Sequence, residues 1–311
     1  MHRSTTKILL TFIILMGVVS AKELAVKGEP EALTEPGQYF LSPKWSPDGS
    51  QIAVSGVKYS GIHLIDFTSG EMTTLTEADG AGYGFSWSPD GRSIAARVST
   101  YEKYFKKSQI ILYSLDGSQQ ELTEKQSHLT GVPAWTPSGD QVYLKAGTAF
   151  KAFTLEGKPK AVEQTIVFLN NLGIYKRNLS TGDEALISPA DQRVLHLAIS
   201  PDASQYVYST VSEQLWLANM DGSNARNIGR GTSPNWSPDG KWIVGMITED
   251  DGHVFTGADL VVYNVLESAY AKLTDSKNVY EMNPSWSPDG KRIAYSNEVD
   301  GRIWVMEVEE K

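Results

Sequence analysis

The chain contains no cysteine at any of its 311 positions. That absence excludes disulfide bonds, thiolate metal ligands, a cysteine nucleophile and a lipid-modified cysteine. Long apolar runs are also scarce, because the one candidate, Ile8 to Val19, has 12 residues and a membrane-spanning helix needs about 20. The fold must therefore rest on packing, and we expect no integral membrane segment in the mature protein.

Positive charge is in the minority. Lys and Arg number 28 and Asp and Glu number 37, so the formal net charge is −9. An acidic surface disfavours binding to nucleic acids and to anionic lipids, because both carry negative charge themselves. We therefore expect no nucleic-acid partner, and we expect no cofactor.

The first 21 residues have the pattern of a Sec-type signal peptide. Arg3 and Lys7 give a basic start, the run Ile8 to Val19 is the apolar core, and small residues end the segment at Ala21, ahead of Lys22. We predict a periplasmic or secreted protein whose mature chain, residues 22–311, forms one domain. Retention of the segment as a membrane anchor is the alternative.

A five-residue box, Trp-Ser-Pro-Asp-Gly, recurs along the chain at a spacing typical of repeat proteins. Proline fixes φ, aspartate offers a side-chain acceptor and glycine tolerates positive φ, so each box predicts a tight turn between antiparallel strands. Its aspartate is therefore interpreted as a turn residue and not as a catalytic one. The boxes lie at Trp45–Gly49, Trp87–Gly91, Trp236–Gly240 and Trp286–Gly290, with weaker copies at Trp135–Gly139 and Ile199–Ala203.

Three short strands are predicted to follow each box, the middle one alternating apolar and other residues as in IHLIDF at Ile62 and IWVMEV at Ile303. With the strand that ends at the box, this makes a four-stranded antiparallel blade and an all-β propeller. Six boxes favour six blades. Seven copies of the middle strand leave seven blades open. The extra copy follows the strand pair at Gln141 after only 24 residues, which is too few for a full blade, so six blades with one irregular or inserted hairpin are favoured.

The two ends of the chain complement each other. The last repeat ends at Lys311 without its final strand, and Pro30–Gly37, PEALTEPG, resembles that missing strand. We therefore predict that an N-terminal strand closes the ring and covers two exposed sheet edges, which favours a monomer.

The WSPDG box, the IAYS-type and IWVM-type strands and the terminal LT strand resemble the TolB-type propeller repeat over about residues 24–310. TolB is a periplasmic component of the Tol–Pal envelope system and carries an α/β domain ahead of its propeller, whereas here the repeats begin near residue 24. Similar repeats occur in prolyl-oligopeptidase-type and tricorn-type peptidases, which carry a separate hydrolase domain. The resemblance implies a non-catalytic binding or scaffold module of the cell envelope, with a Tol–Pal-like component as an alternative.

The segment Ser99–Ser108, STYEKYFKKS, is the most basic stretch of this acidic chain. It falls on the face opposite the tight turns, where connections vary in length and usually carry function. Aromatic and cationic side chains together suit a protein partner or an acidic glycan. The candidate binding residues are Tyr101, Lys103, Tyr104, Phe105, Lys106 and Lys107.

A second long connection, Thr248–Asp259, is acidic. Carboxylate oxygens are the ligands that calcium prefers, so this segment is a candidate calcium site, with a plain acidic hairpin as the alternative. The four candidate ligands are Glu249, Asp250, Asp251 and Asp259.

Two histidines, His128 and His196, precede predicted inner strands and could approach the central channel, as could Tyr83, Tyr280 and Glu281. They leave open an enzyme that acts on glycans or peptides in the channel, since a polysaccharide lyase family with similar repeats uses channel histidines and a metal. The sequence has no HExxH, GxSxG or paired-histidine spacing, so we expect no metal and favour a binding role.

Overall fold

The computed structural model describes residues 23–127, 129, 131–146, 149–155, 165–170, 172–250, 255–267, 270–277 and 279–311. No helix in these ranges is long and apolar enough to cross a membrane. The strands are β1 (Leu24–Ala32), β2 (Phe40–Trp45), β3 (Gln51–Gly56), β4 (Ile62–Asp66), β5 (Met72–Thr76), β6 (Ser86–Trp87), β7 (Ser93–Glu102), β8 (Phe105–Ser114), β9 (Gln119–Glu121), β10 (Ala134–Trp135), β11 (Gln141–Ala146), β12 (Ala149–Thr154), β13 (Thr165–Asn170), β14 (Gly173–Asn178), β15 (Glu184–Leu186), β16 (Val194–Ile199), β17 (Gln205–Thr210), β18 (Gln214–Asn219), β19 (Arg226–Arg230), β20 (Thr232–Trp236), β21 (Trp242–Asp250), β22 (Phe255–Asn264), β23 (Tyr270–Lys272), β24 (Glu281–Trp286), β25 (Arg292–Asn297) and β26 (Ile303–Glu310).

These strands form seven antiparallel sheets, which are the blades of one propeller. Blades 1 and 2 are β2–β5 and β6–β9. Within the described ranges, blades 3 and 4 have three strands each, β10–β12 and β13–β15. Blades 5 and 6 are β16–β19 and β20–β23, and blade 7 combines β24, β25 and β26 with β1 from the N-terminus.

The hydrophobic core is divided among the blade interfaces. Seven buried clusters are found among the described residues, and each joins two consecutive blades. The cluster between blades 7 and 1, for example, packs Ile303 and Val305 against Ile52 and Val54. Packing of this kind around the whole ring explains how a chain without cysteine gains a stable fold.

The structure has seven blades, the number that the sequence left open, rather than the six that it favoured. The strand pair that the sequence suggested was an irregular hairpin, β13 and β14, forms blade 4 together with β15. It has its own interfaces with both neighbours: Phe168 faces the aromatic rings of blade 3, and Val167 belongs to the cluster with blade 5. The spacing of 24 residues separates the strand pairs of two neighbouring blades, in each of which three strands are described.

The box turns share one hydrogen-bonding pattern. In the first, Ser46 Oγ donates to Asp48 Oδ1 at 2.6 Å and accepts from Gln51 N at 3.0 Å, and Gly49 has a φ of 73°. The same pairing recurs at Ser88, Ser200, Ser237 and Ser287. Hydrogen bonds from Ser46 and Ser50 lower the pKa of Asp48, which is what a turn-stabilising carboxylate requires.

The box tryptophans tie neighbouring blades together. Trp87, Trp135 and Trp236 donate Nε1 to backbone carbonyls in the inner strand of the preceding blade, at 3.1, 3.2 and 3.1 Å. A Cβ built on Gly91 would lie 3.5 Å from Pro47 Cδ, so consecutive boxes also touch. The boxes therefore form a ring on one face of the propeller, here called the turn face, and the β3–β4 and β7–β8 type connections lie on the opposite loop face.

The N-terminal strand closes the ring as predicted. β1 pairs antiparallel with β26, from Leu24 opposite Glu310 to Ala32 opposite Trp304. The strand begins ahead of the segment that the sequence singled out, and the Leu-Thr pair follows it: Ile303 N donates to Thr34 Oγ1 at 3.1 Å. Ile110 N and Leu260 N make the same bond to the threonines that end blades 2 and 6, so this pair marks the last strand of a blade.

Candidate functional site

A cavity of about 1110 Å³ lies at the centre of the ring. It is lined from the inner strands β2, β6, β10, β16, β20 and β24 and, on one side, from β11 and β13. Its lining extends from Asn170 and Leu172, at the loop face, to Trp45 and Trp286, next to the box turns. β13 contributes to the lining, and no described strand pairs with its inner edge.

Prolines shape the inner edges of the blades. In three of them the preceding residue adopts a positive φ, at Ser42 (53°), Ser233 (50°) and Asn283 (54°), and the strand register shifts there. Proline lacks a backbone N–H, and the register shift interrupts regular pairing. Pairing of a further strand with these inner edges is therefore disfavoured. The four channel prolines are Pro43, Pro133, Pro234 and Pro284.

The residue ahead of the box tryptophan bonds to the next blade at four points around the channel. The side chain at this position donates the hydrogen bond in two of the four pairs and accepts it in the other two, so the contact does not depend on one residue type. The pairs are Lys44 with Phe85 O, Ser86 with Pro133 O, Asn235 with Trp286 N and Ser285 with Trp45 N, at 2.5, 2.9, 2.8 and 3.4 Å.

Among the described residues that line the cavity, none is Asp or Glu, and three carry a titratable base. Lys145 forms a salt bridge of 2.8 Å with Glu184, outside the lining. His196 Nδ1 lies 2.9 Å from Ser209 Oγ and 3.0 Å from Thr232 Oγ1, and desolvation lowers its pKa. Burial lowers the pKa of Lys44 from 10.5 to about 8. The channel is therefore cationic at neutral pH within an acidic protein.

No protein-family model and no curated protein matches the sequence. Solved structures do match. TolB from Acinetobacter baumannii aligns with a TM-score of 0.57 and 15% identity, over 83% of this chain and 60% of that one. A protein assigned as TolB from Agrobacterium tumefaciens aligns with a TM-score of 0.58 and 19% identity, over 90% of this chain and 92% of that one.

The chain has the fold of a TolB-type β-propeller. Identities this low establish the architecture alone, and 1359 chains of known structure match it, so the fold does not select a function.

Of the five predicted channel residues, the structure places His196 in the cavity wall of the TolB-type propeller. Tyr83 lies on the loop face, where its ring meets Tyr59 edge to face at 5.2 Å and the Arg97 guanidinium at 4.9 Å. Tyr280 and Glu281 are outside the cavity lining, at the start of β24. His128 lies outside the described residues.

Glu281 is 3% exposed and does not reach the channel. Burial raises its pKa, while hydrogen bonds from the side chains of Ser276 and Thr274 act in the opposite direction. No group of three or more histidine or acidic side chains is close enough to hold a metal in the described part of the propeller. Of the histidine and acid candidates for the channel, His196 and Glu281 are therefore not brought together in the cavity wall.

The aromatic–basic segment is not a loop outside the sheet, as the sequence suggested, but the tip of the β7–β8 hairpin. Its strands pair up to Glu102 and Phe105, and Lys103 and Tyr104 make the turn, with Lys103 at a φ of 59°. The rings are open to solvent, with Tyr101, Tyr104 and Phe105 exposed by 69, 94 and 70%. We call Tyr101, Lys103, Tyr104, Phe105, Lys106 and Lys107 the hairpin tip. Glu102 neutralises Lys107 at 2.5 Å.

The candidate calcium ligands are distributed along the β21–β22 hairpin. Asp259 is held by Lys272 at 3.2 Å and accepts from Ser276 N at 3.2 Å, so its oxygens already have partners. Glu249 and Asp250 end β21, and Asp251 lies outside the described residues. The described ligands do not converge on one point.

Sequence reasoning missed the polar groups that do line the channel, above all Lys44. A signal for them exists in the sequence. Proline stands two residues ahead of the box tryptophan in four repeats, and the residues around it line the cavity. These four tetrapeptides are SPKW at Ser42, VPAW at Val132, SPNW at Ser233 and NPSW at Asn283.

Proposed function

We propose that this protein is an exported, non-catalytic binding module of the cell envelope that takes a segment of a protein partner into its central channel. One observation carries the proposal: the channel is lined mainly by apolar side chains with a few polar groups, and the described lining contains no carboxylate. Apolar walls with a small number of polar contacts are typical of binding sites. Paired carboxylates of the kind that serve acid–base chemistry are missing from this lining.

The size of the channel favours a chain segment over a small molecule. Its volume of about 1110 Å³ is above the upper end of about 1,000 Å³ for typical small-molecule sites. Its lining also connects the loop face with the turn face, so an extended segment can contact several blades at once. A rigid ring that gathers side chains from all seven blades suits recognition without conformational change.

The hairpin tip supplies a second contact surface in this proposal. Three exposed aromatic rings stand beside Lys103 and Lys106 on the same face that receives the loop-side end of the channel. Aromatic residues provide contact area, and cations orient an acidic protein or glycan surface. The resemblance of the WSPDG repeats to those of TolB, a periplasmic protein, makes a Tol–Pal-like assembly one form that the envelope role could take.

A photo-crosslinker tests the channel assignment. Benzoylphenylalanine is placed at Leu195, which lines the cavity and is 41% exposed, and as the matched control at Leu186, which is 45% exposed on the outer strand β15. Irradiation of cells should give one protein adduct from position 195 and none from position 186. An adduct pattern that is the same at both positions, or no adduct at 195, contradicts the proposal.

Export is the second part of the proposal, supported by the basic start, the apolar run and the small residues that end at Ala21. Intact mass of the protein recovered from the envelope fraction should correspond to a chain that begins at Lys22. Recovery of the full-length chain from the cytosol would contradict it.

A further inference from the structure

Lys44 is a cation in the wall of the channel, and no described carboxylate pairs with it. It lies in the inner strand β2, between Pro43 and Trp45, and lines the cavity. Its ammonium group donates to Phe85 O at 2.5 Å and lies 4.8 Å from the centre of the Phe85 ring. An ammonium group has three N–H donors, and the carbonyl occupies one of them. No described carboxylate lies within salt-bridge distance of it.

The other blades show that the bridge to the next blade needs no charge. Ser86 makes the equivalent contact with a hydroxyl group, at 2.9 Å from Pro133 O, and Asn235 makes it with an amide, at 2.8 Å from Trp286 N. A lysine at this position adds a positive charge that the architecture does not require. Burial also disfavours this charge, as the lowered pKa of Lys44 shows. The ring thus carries one destabilised ammonium group at a place where serine or asparagine suffices.

The other two basic groups of the described lining already have partners. Lys145 is paired with Glu184, and His196 Nδ1 lies between two hydroxyl groups. Among the described lining residues, Lys44 is therefore the cation whose charge remains available to a ligand. An anion that binds there replaces the hydration that the ammonium group loses on burial, and it meets no repulsion from a lining carboxylate.

We propose that Lys44 is the anion-binding residue of the channel and that it receives a carboxylate side chain, aspartate or glutamate, from the partner segment. This inference rests on the proposed function, because it assigns the chemistry of the segment that enters the same channel. A peptide is favoured over a free anion because most of the lining is apolar and includes the faces of Trp87 and the four prolines, which a small anion leaves unused.

The test compares two capped pentapeptides, Ac-Gly-Gly-Glu-Gly-Gly-NH₂ and its glutamine counterpart, on the mature protein labelled with ¹⁵N at tryptophan. Binding is followed by the indole resonances of Trp45, Trp87 and Trp286, which line the cavity. The glutamate peptide should shift these resonances saturably, and the glutamine peptide should bind at least about tenfold more weakly, as expected for a hydrogen bond to a charged group.

Two variants at position 42 avoid the removal of the lysine. Ser42 lines the cavity two residues from Lys44 and has a φ of 53°, a conformation that both Asp and Asn tolerate. S42D supplies an internal carboxylate and should weaken the glutamate peptide by at least about tenfold, whereas S42N, of the same shape, should retain most of the affinity. K44M should lose binding, and K291M, at an exposed lysine on the turn face, should not.

Four results would overturn the inference: equal affinities for the two peptides, equal affinities of S42D and S42N for the glutamate peptide, full affinity in K44M, or saturation by acetate at the same concentration as the peptide. The last result would assign the site to a small anion. Circular dichroism melting curves confirm that each variant is folded. The outcome is distinguishable from failure of the proposed function, since a protein adduct at position 195 without selectivity for glutamate leaves the channel role intact.

Discussion

Ala203 occupies the place that glycine takes in five other box turns. Its φ is 54°, against 68 to 73° for the box glycines. An L-residue in this left-handed region costs about 1–2 kcal/mol, while glycine loses more freedom on folding, so the two effects oppose each other. The turn nevertheless forms, because Ser200 and Asp202 make the same hydrogen bond as in the other boxes, at 2.6 Å.

We predict that A203G stabilises the protein by about 0.5–1 kcal/mol, since the release of backbone strain exceeds the loss of chain entropy. The matched variant is G240A, which makes the reverse change in another box turn. A Cβ added at Gly240 would meet no atom within 4 Å, so the φ of 70° is the only feature that disfavours alanine there. G240A should destabilise by a similar amount. Urea unfolding checks both, and equal midpoints for the two variants would show that φ does not control these turns.

Lys44 also affects stability. Because its pKa falls from 10.5 to about 8 on folding, the unfolded chain holds more protons than the folded one between about pH 8 and pH 10.5. The free energy of unfolding therefore rises with pH in that window. Below about pH 8 the charge of Lys44 destabilises the folded state to its full extent, and this destabilisation is lost as the pH approaches 10.5.

K44M should accordingly raise the Tm at pH 7 by several degrees, since about 1 kcal/mol corresponds to roughly 2–4 °C in a domain of this size. The difference in Tm between K44M and the wild-type protein should shrink as the pH rises from 8 to 10.5. K291M should follow the wild-type profile throughout. A K44M variant that melts below the wild type at every pH would mean that the bond to Phe85 outweighs the cost of burying the charge.

At the scale of the element, substitutions in the hairpin tip can distinguish the contribution of aromatic contact area to partner binding from the contribution of positive charge. We predict that the double substitution Y104A/F105A weakens binding of the partner that is cross-linked at position 195. The loss of binding free energy should be roughly 1–3 kcal/mol, as expected for aromatic anchors. K103A/K106A should instead slow association and reduce its dependence on salt.

K107A is the matched control for the tip, because Glu102 already neutralises this lysine at 2.5 Å. None of these variants should change the Tm, since the three tip rings are more than two-thirds exposed. Stopped-flow association rates at two salt concentrations test whether Lys103 and Lys106 accelerate binding. Identical kinetics for K103A/K106A and K107A would exclude electrostatic steering by the hairpin tip.

Strand identity was readable from the sequence because every element repeats. The box turns, the alternating third strands and the Leu-Thr ends are local patterns, and each follows from short-range chemistry. Two features could not be predicted. β7 and β8 continue to the tip through residues that the sequence indicated as a loop. Ser42, Ser233 and Asn283 adopt a positive φ ahead of proline, where the strand register shifts. Both depend on how neighbouring strands pair, which the residue types alone do not encode.

The channel residues escaped for a related reason. Histidines and acids attract attention because their chemistry is versatile, yet the geometry of the ring decides which side chains point inward. Of the predicted set, His196 reaches the wall, whereas Glu281, one residue after Tyr280, is buried between blades 6 and 7. Lys44 belongs to the tetrapeptide SPKW, and the recurrence of this type of tetrapeptide marks the inner strand of a blade. The pattern of the repeat therefore predicts the channel lining better than residue type does.

At the scale of the whole molecule, the ring is closed by a single strand. β1 pairs with β26, and Thr34, which is 6% exposed, accepts the hydrogen bond from Ile303 N. T34V keeps the volume but leaves this buried N–H without its partner, which costs about 1–3 kcal/mol. T34S retains the hydroxyl group and should stay close to the wild type. Thermal melts compare the two, and equal losses would indicate packing rather than the hydrogen bond.

Removal of the closing strand tests closure directly. A chain that begins at Glu35 lacks β1 and the Leu-Thr pair, so the edge of β26 is exposed and the cluster between blades 6 and 7 loses Leu24. The Tm should fall by about 10 °C or more, because several backbone hydrogen bonds and a buried side chain are lost together. The free edge should also promote association between chains, visible in light scattering. A synthetic peptide of residues 22–36 should restore both the Tm and the monomer when it is added in excess, whereas a scrambled peptide should not. A truncated chain that stays monomeric with an unchanged Tm would show that packing between blades closes the ring without β1.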